Sequence, residues 1–588
     1  PPGTGPSPLI EFRNVRLRHV NLEARLPWNP PDTAKTKEQV AAALQADRDR
    51  PGRIVLETPD GMRRLVTLAN LDARLPLLRV SSPDGAPLTF DIDSLSTHIS
   101  DPAITINDLA AHAWTKGDSL AFTVHRAALP GTRARGGGVI TWPEGPVLYD
   151  FALSASRFDL RDFHWISPVF PDLTGKATVV ARSRSRNLTA FTFRNLAAQG
   201  DLGKLEGDVT VLTDARRGLG VENMALTLTA LDLDVPRAYL DTIPLQGTLT
   251  GTIEGNGFLD GMGIGAAHVF HDRLVPGGAD NTIQAEGHLV FGGPEGTLFD
   301  TLTLHHADFD LRTVALQAPV VALKGRMQLE GDLTGPWKNL TFTGNVRHKD
   351  GDLPESNAAG YARLDTRRDT VRFDTRLDVA PLAFAGVRRG YPDLPLQGAI
   401  EGTVALSGTP DSFYTMTVVT GDLGTVAAQG VLHPGEGRLG TDSLTMRFGR
   451  LDLARVRGSG PHTSLTGRLA ANGVIDTASG PSGALQLDLS RSATRGVTVD
   501  SLHARLHGDS GVLVVDTALA TWAAGRIGGR GAIGWKERIE NQILLTFEAD
   551  SLRAFDSLLT AYTESSDDST SAGARLAIES HMPEGGVI

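Results

Sequence analysis

Sixteen histidines and no cysteine set the limits of the chemistry open to this chain. Without a thiol there is no disulfide, no thiolate nucleophile and no Cys-ligated zinc. The densest groupings of metal-ligating residues are His305-His306 and the set His268, His271 and Asp272. On a strand, positions 268 and 271 fall on opposite faces, and no third ligand lies nearby, so these residues read as solvated surface. Asp91/Asp93 and Asp232/Asp234 stand two apart, which on a strand puts each pair on one face. That spacing could hold a divalent ion, but it is also what the wet face of an alternating strand looks like, and the second reading is preferred. Gly255-Asn256-Gly257 and Gly261-Met262-Gly263-Ile264-Gly265 have the glycine density of a dinucleotide-binding loop. No helix pattern follows them and the third glycine is misplaced for that fingerprint. No P-loop, HExxH, GxSxG or EF-hand loop occurs. The chain is therefore expected to be no enzyme, with no catalytic residue, metal or cofactor.

The elements around these residues are strands. Apolar and polar residues alternate with a period of two, the pattern of half-buried β structure. Leu245, Leu249 and Ile253 alternate with Gln246, Thr248, Thr250, Thr252 and Glu254, and Val371, Phe373 and Leu377 with Arg372, Asp374 and Arg376. The same alternation places Leu226, Leu228, Leu302, Leu304, Met327, Leu329, Leu444, Met446, Phe448, Leu485, Leu487 and Leu489 on the inward, apolar side. Short turn-formers such as Asp201-Leu202-Gly203 and Asp350-Gly351-Asp352 separate the runs and argue for hairpins, hence antiparallel sheets. No connection is long enough for repeated βαβ crossovers. Two segments read as helix: residues 33–48, an insertion after Pro30-Pro31-Asp32, and residues 551–562.

A phrase recurs on this background: a strand, a kink, then an apolar residue and Gly opening the next strand. Its anchors are Gly175, Gly247, Gly325, Gly398 and Gly467, about 70–78 residues apart, with a weaker copy at Gly573. Segments such as Trp165-Ile166-Ser167-Pro168 and Tyr239 to Pro244 are expected to break the sheet before each new unit. The 65 glycines, 33 prolines and 6% aromatic content of the 588 residues suit many short strands and tight turns. The net charge of −11, with no basic cluster interleaved with aromatics, disfavours nucleic acid. No apolar run approaches the ~20 residues of a spanning helix, and no secretory signal is present. The ends, Pro1-Pro2-Gly3 and Gly585-Gly586-Val587-Ile588, read as those of an internal fragment.

Phrases such as Pro244-Leu245-Gln246-Gly247-Thr248-Leu249-Thr250-Gly251, Pro395-Leu396-Gln397-Gly398-Ala399-Ile400-Glu401-Gly402 and Glu330-Gly331-Asp332-Leu333-Thr334-Gly335-Pro336-Trp337 resemble the AsmA-like/TamB family of Gram-negative bacteria. The resemblance runs from about residue 60 onward and is a cadence of Leu and Gly. It implies an all-β, elongated antiparallel repeat sheet curled into an open, apolar-lined trough (β-taco-like), with the helical insertion near the N-terminus. On that reading residues 1–150 form an N-terminal β region, 151–550 one continuous run of repeats, and 551–588 the start of a further repeat.

The resemblance also implies a bridge-like lipid transfer protein of the periplasm. Its partners would be phospholipids, the inner membrane through an N-terminal helix outside this chain, and a TamA-like outer-membrane barrel protein through a C-terminal domain outside it. Three functions stay open at this point. They are a lipid conduit, a scaffold or chaperone for outer-membrane protein (autotransporter) assembly, and a closed, self-filled solenoid with a structural role.

Overall fold

The structure is a computed structural model. It describes residues 8–549, apart from 31–34, 50–52, 60, 82–85, 144–145, 167, 238–244, 294, 320, 393, 395, 436, 477, 495–496, 510, 524 and 535–541. The expected helix at 551–562 and the kink at 239–244 lie outside the described residues. The chain forms two units, Pro1–Asp300 and Thr301–Ile588, both dominated by antiparallel β structure.

In the first unit the 21-residue strand Gly61–Ser81 organises the beginning of the sheet. One of its edges takes the strand Ile10–Pro27. The other takes Ile54–Thr58, Ser94–Ser100 and Leu88–Ile92 in turn. From Asp108–Lys116 onward each strand pairs with the next in sequence, as far as Ala279–Gly293. In the second unit the same meander runs from Arg326–Pro336 to Gln542–Ala549, except that Gly480–Leu489 pairs with Ser501–Asp509 and the short strands between them, Ser492–Thr494 and Val497–Val499, form a hairpin on Thr463–Asp476. Neither ladder closes on itself: among the described residues, Ile10–Pro27 and Gln542–Ala549 each have one strand partner. These are open sheets, not barrels.

The 70–78-residue period is built from corners. A helical turn interrupts the meander at Leu160–Phe163 and Asp234–Arg237 in the first unit, and at Leu311–Gln317, Phe384–Gly390 and Leu453–Arg457 in the second. An aspartate precedes four of these turns, and its Oδ1 accepts a backbone N–H two residues on. Asp159 takes Arg161 at 3.0 Å, Asp232 takes Asp234 at 2.9 Å, Asp310 takes Arg312 at 2.9 Å, and Asp452 takes Ala454 at 3.1 Å. This satisfies a donor that a helix start leaves orphaned. At the fifth corner the position is Ala383, which caps no helix-start amide; its own N–H donates to Ser356 Oγ at 3.0 Å.

The next amide ties the corner to the anchor that follows. Leu233, Leu311 and Phe384 donate to the carbonyls of Gly247, Gly325 and Gly398 at 3.0, 2.9 and 3.0 Å, and Leu160 donates to Leu173 at 3.0 Å. Small apolar clusters seal the same places, Phe158 with Leu173, Ala177 and Ala198, and Phe384 with Val379, Ile400, Val419 and Leu423.

The anchors are glycine because a side chain has nowhere to go. A Cβ on Gly247 would stand 1.9 Å from the carbonyl oxygen of His271, and Gly325 combines φ +94° with Lys349 O at 2.3 Å from such a Cβ. The helix read at 33–48 is Lys37–Arg48, started by a capping box in which Thr36 and Gln39 bond each other's backbone. The turn after Trp165 closes with Ile166 N–H on Phe163 O at 2.8 Å. The glycine-dense loops at 255–257 and 261–265 are two facing strands, with Gly255 opposite Ile264 and Gly257 opposite Met262.

Asp232 corrects an expectation. It was assigned to the wet face of a strand, but it is 7% exposed and caps a corner, with Arg273 at 2.7 Å on its other oxygen. The corner caps yield a test. Replacing Asp159 by Ala removes about 0.5–2 kcal/mol of local stability. Hydrogen exchange of the Leu160–Phe163 amides should quicken by up to ~30-fold, while the strand Gly218–Asp232 keeps its protection.

Candidate functional site

The two faces of each sheet differ sharply, and burial along single strands shows it. In Arg372–Ala383, Arg372, Asp374, Arg376 and Asp378 are exposed, while Phe373 and Leu377 are half-buried and Val379 is buried. In Arg438–Leu451, Leu444 and Met446 are half-buried, Phe448 is buried, and Thr445 and Arg447 are exposed. Residues directly opposite each other on neighbouring strands share a face, so the pairing register shows whether this greasy side continues.

In the second unit it does. One row runs Leu329, Val346, Ala358, Val379, Gly402, Val419, Val426, Phe448, Gly467, Leu489, Leu502, Ala520, Ile527 and Phe547, one residue per strand, with no polar member. A parallel row carries Leu377, Val404, Thr417, Ala428, Met446, Leu469, Leu487 and Ala504. Leu444 and Leu485 flank Ala471 in a third.

The first unit has its own rows. Phe12, Leu78, Phe90, Ala113, Phe122, Gly138, Phe151, Ala181, Phe191, Val211, Val221, Gly257, Met262 and Leu289 stand opposite one another in succession. The rings of Phe122 and Phe151 lie 6.1 Å apart. Leu226 faces Ile253, and Leu231 faces Leu249.

Of the residues assigned to this face by alternation, Leu226, Leu249, Ile253, Leu329, Leu377, Leu444, Met446, Phe448, Leu485, Leu487 and Leu489 stand in these pairings, whereas Met327 faces His348. Leu228, Leu302, Leu304 and Phe448 are buried, and the other fourteen are half-buried. Leu245 and Val371 stand just outside the strands Gly247–Phe258 and Arg372–Ala383. The aromatic row of residues 12–191 was not singled out, although the alternation of Leu120, Phe122 and Val124, and of Tyr149, Phe151 and Leu153, carries the same signal.

The packed interior is thin. Among described apolar side chains, Leu311 and Val275 are the largest that are fully buried. Among the described residues, tight clusters sit at corners, around Phe158 and Phe384, and at a strand-end group, Ala190, Leu212 and Phe258. Most described side chains of the apolar face are half-buried rather than fully buried.

The opposite face is bound by charge. Arg217 spans Asp260 at 2.5 Å and lies 4.1 Å above the ring of Phe258, and its guanidinium holds the Asp260 carboxyl below the usual carboxylate range. Several histidines pair with aspartates across strands, His271 with Asp280 at 2.7 Å and His433 with Asp442 at 2.8 Å among them. Asp91 bonds His112, and Asp93 meets Arg74 at 3.4 Å, so these carboxylates serve cross-strand pairs. Among the described residues, no three His, Asp or Glu side chains converge as a metal site, and no helix is long and apolar enough to cross a membrane.

His268 breaks the pattern. It was expected at the solvated surface with His271, yet it is 8% exposed and occupies the apolar face between Gly251 and Ile283, with no partner for Nδ1. The strand alternation that sends His271 outward sends His268 inward. Desolvation pushes its imidazole below its ordinary value.

The unfolded chain protonates His268 near its ordinary pKa of about 6.5, and the folded chain only at lower pH. Stability is complete above that range and falls as pH drops through it. His268→Leu should remove this acid sensitivity, narrowing the difference in first-unit melting temperature between pH 7.5 and 5.5 by a few degrees. Thermal unfolding at the two pH values checks it. No protein-family model and no curated protein sequence matches the chain, so its two faces carry the functional reading.

Proposed function

We propose that this protein is a lipid conduit, holding phospholipid acyl chains against its apolar face while the head groups stay in water. The observation that carries this reading is row continuity. From Leu329 to Phe547, fourteen successive strands place an apolar residue or glycine at one register position. Each methylene kept from water is worth ~0.8 kcal/mol, so an acyl chain that left the face would lose on the order of ten kcal/mol. Movement along a row of uniform polarity meets no such step. Retention and mobility are then properties of one surface. An open, apolar-lined trough is the form in which such a face would shelter lipid.

The resemblance to AsmA-like proteins supports placing this activity in the periplasm, between inner and outer membranes. A scaffold for outer-membrane proteins working by strand addition is the second reading. It is favoured by Ile10–Pro27, which has one strand partner among the described residues. Asn14 at φ 56° and His19 at φ 50° kink that strand, which weighs against regular pairing with an added partner.

Leu329→Glu puts a carboxylate in the wholly apolar row, while Glu330→Lys changes an exposed residue of the same strand. Phospholipid recovered with the purified protein, counted by mass spectrometry, should fall several-fold for the first variant and hold for the second. Equal lipid in both folded variants would remove the conduit, and copurifying β-barrel polypeptides without lipid would favour the scaffold.

A further inference from the structure

The polar face of the second unit carries a groove of about 700 Å3 that runs across five strands, from Ser412–Gly421 to Gly480–Leu489. Two pairing rows make it. The first reads Val418, Ala427, Arg447, Arg468, Asp488. The second reads Met416, Gln429, Thr445, Ala470, Gln486. The alanines are the short members between longer neighbours, and they leave the depression.

Two features of this groove do not belong to an ordinary wet face. Arg447 and Arg468 stand directly opposite each other, and like charges in that position repel. Among the described residues neither guanidinium has a hydrogen-bond or ion-pair partner, and Asp488, next in the row, is engaged by His503 and by Gln486 at 2.9 Å. Two strands away, Met416 and Val418 are 43% and 56% exposed, although strand Ser412–Gly421 already sends Phe413 and Val419 to the apolar face. An unneutralised cation pair therefore lies ~10 Å from an uncovered apolar pair, at the usual strand spacing.

The geometry points to a binding site for an anionic amphiphile. A phosphate or carboxylate sits between Arg447 and Arg468, and the attached alkyl chain runs over Ala427 onto Val418 and Met416. The paired guanidiniums offer forked donors suited to such an anion. Asp488 closes the far end to a second negative group, so the ligand is single-headed. The site lies on the face away from the apolar rows and does not depend on the conduit reading.

The test uses the full chain and a dodecyl phosphate carrying a diazirine at the tail end, with labelled peptides mapped by mass spectrometry. Labels are expected on Met416, Val418 or Ala427, and to fall at least tenfold in R447Q/R468Q and several-fold in V418N. Both variants change exposed residues, and circular dichroism confirms that they fold. Labels on Val404 and Leu377, on the opposite face, should be unchanged by these substitutions. Dodecanoate should compete, which separates the shared anionic head from phosphate alone, and inorganic phosphate at equal concentration should not. Outer-face labelling that is absent, that survives R447Q/R468Q, or that inorganic phosphate abolishes as well as dodecanoate does overturns the site.

Discussion

The amide of Phe384 bonded to the carbonyl of Gly398, and its counterparts at Leu160, Leu233 and Leu311, fix where one strand set ends and the next begins. A sheet whose side chains alternate with a period of two tolerates no error there, because a slip of one residue would send every leucine of the following strand to the charged face. The corner prevents it from three directions. The aspartate cap sets the start of the helical turn, the amide bond sets its distance to the next strand, and the anchor glycine admits the neighbouring backbone where a side chain would not fit. Coherence of the apolar rows follows from these local contacts.

Bulges within the strands obey the same discipline. Asn195 and Asn223 take left-handed φ values near +50°, which breaks the ladder and frees an amide. Asp208 and Asn256 on the adjacent strands accept those amides, each at 2.7 Å. The sheet can thus change its twist without leaving a ladder donor unpaired, and the row on either side keeps its face.

Much of this was legible in the residues. Alternation placed Leu377, Met446 and Leu487 on one side, and the register joins them in one row. The anchor glycines were visible as a repeat, and their reason is steric. What stayed hidden depended on partners distant in sequence. Asp232 looks like any polar residue of an alternating strand until its side chain is seen to turn back on its own backbone. The signal was present in the Phe/Leu-Asp-Leu triplets at 158–160, 231–233, 309–311 and 451–453. His268 could not be told from surface histidines without knowing which parity of its strand faces the apolar side. The Arg447–Arg468 encounter exists only once register is known, since the two lie on different strands.

Along each meander most strands pair with the strands beside them in sequence, and each corner repeats the same bonds, to the anchor strand that follows it and, at Gln397, to the next corner at Arg455. A duplicated or lost stretch of one full period, cut at equivalent corners, would rejoin with matching caps, matching glycines and unbroken parity. The number of strands is therefore a quantity that gene duplication can adjust in whole steps, whereas an insertion of fractional length inside a strand would scramble the surface downstream of it. Selection on such a molecule acts on a count as much as on a composition.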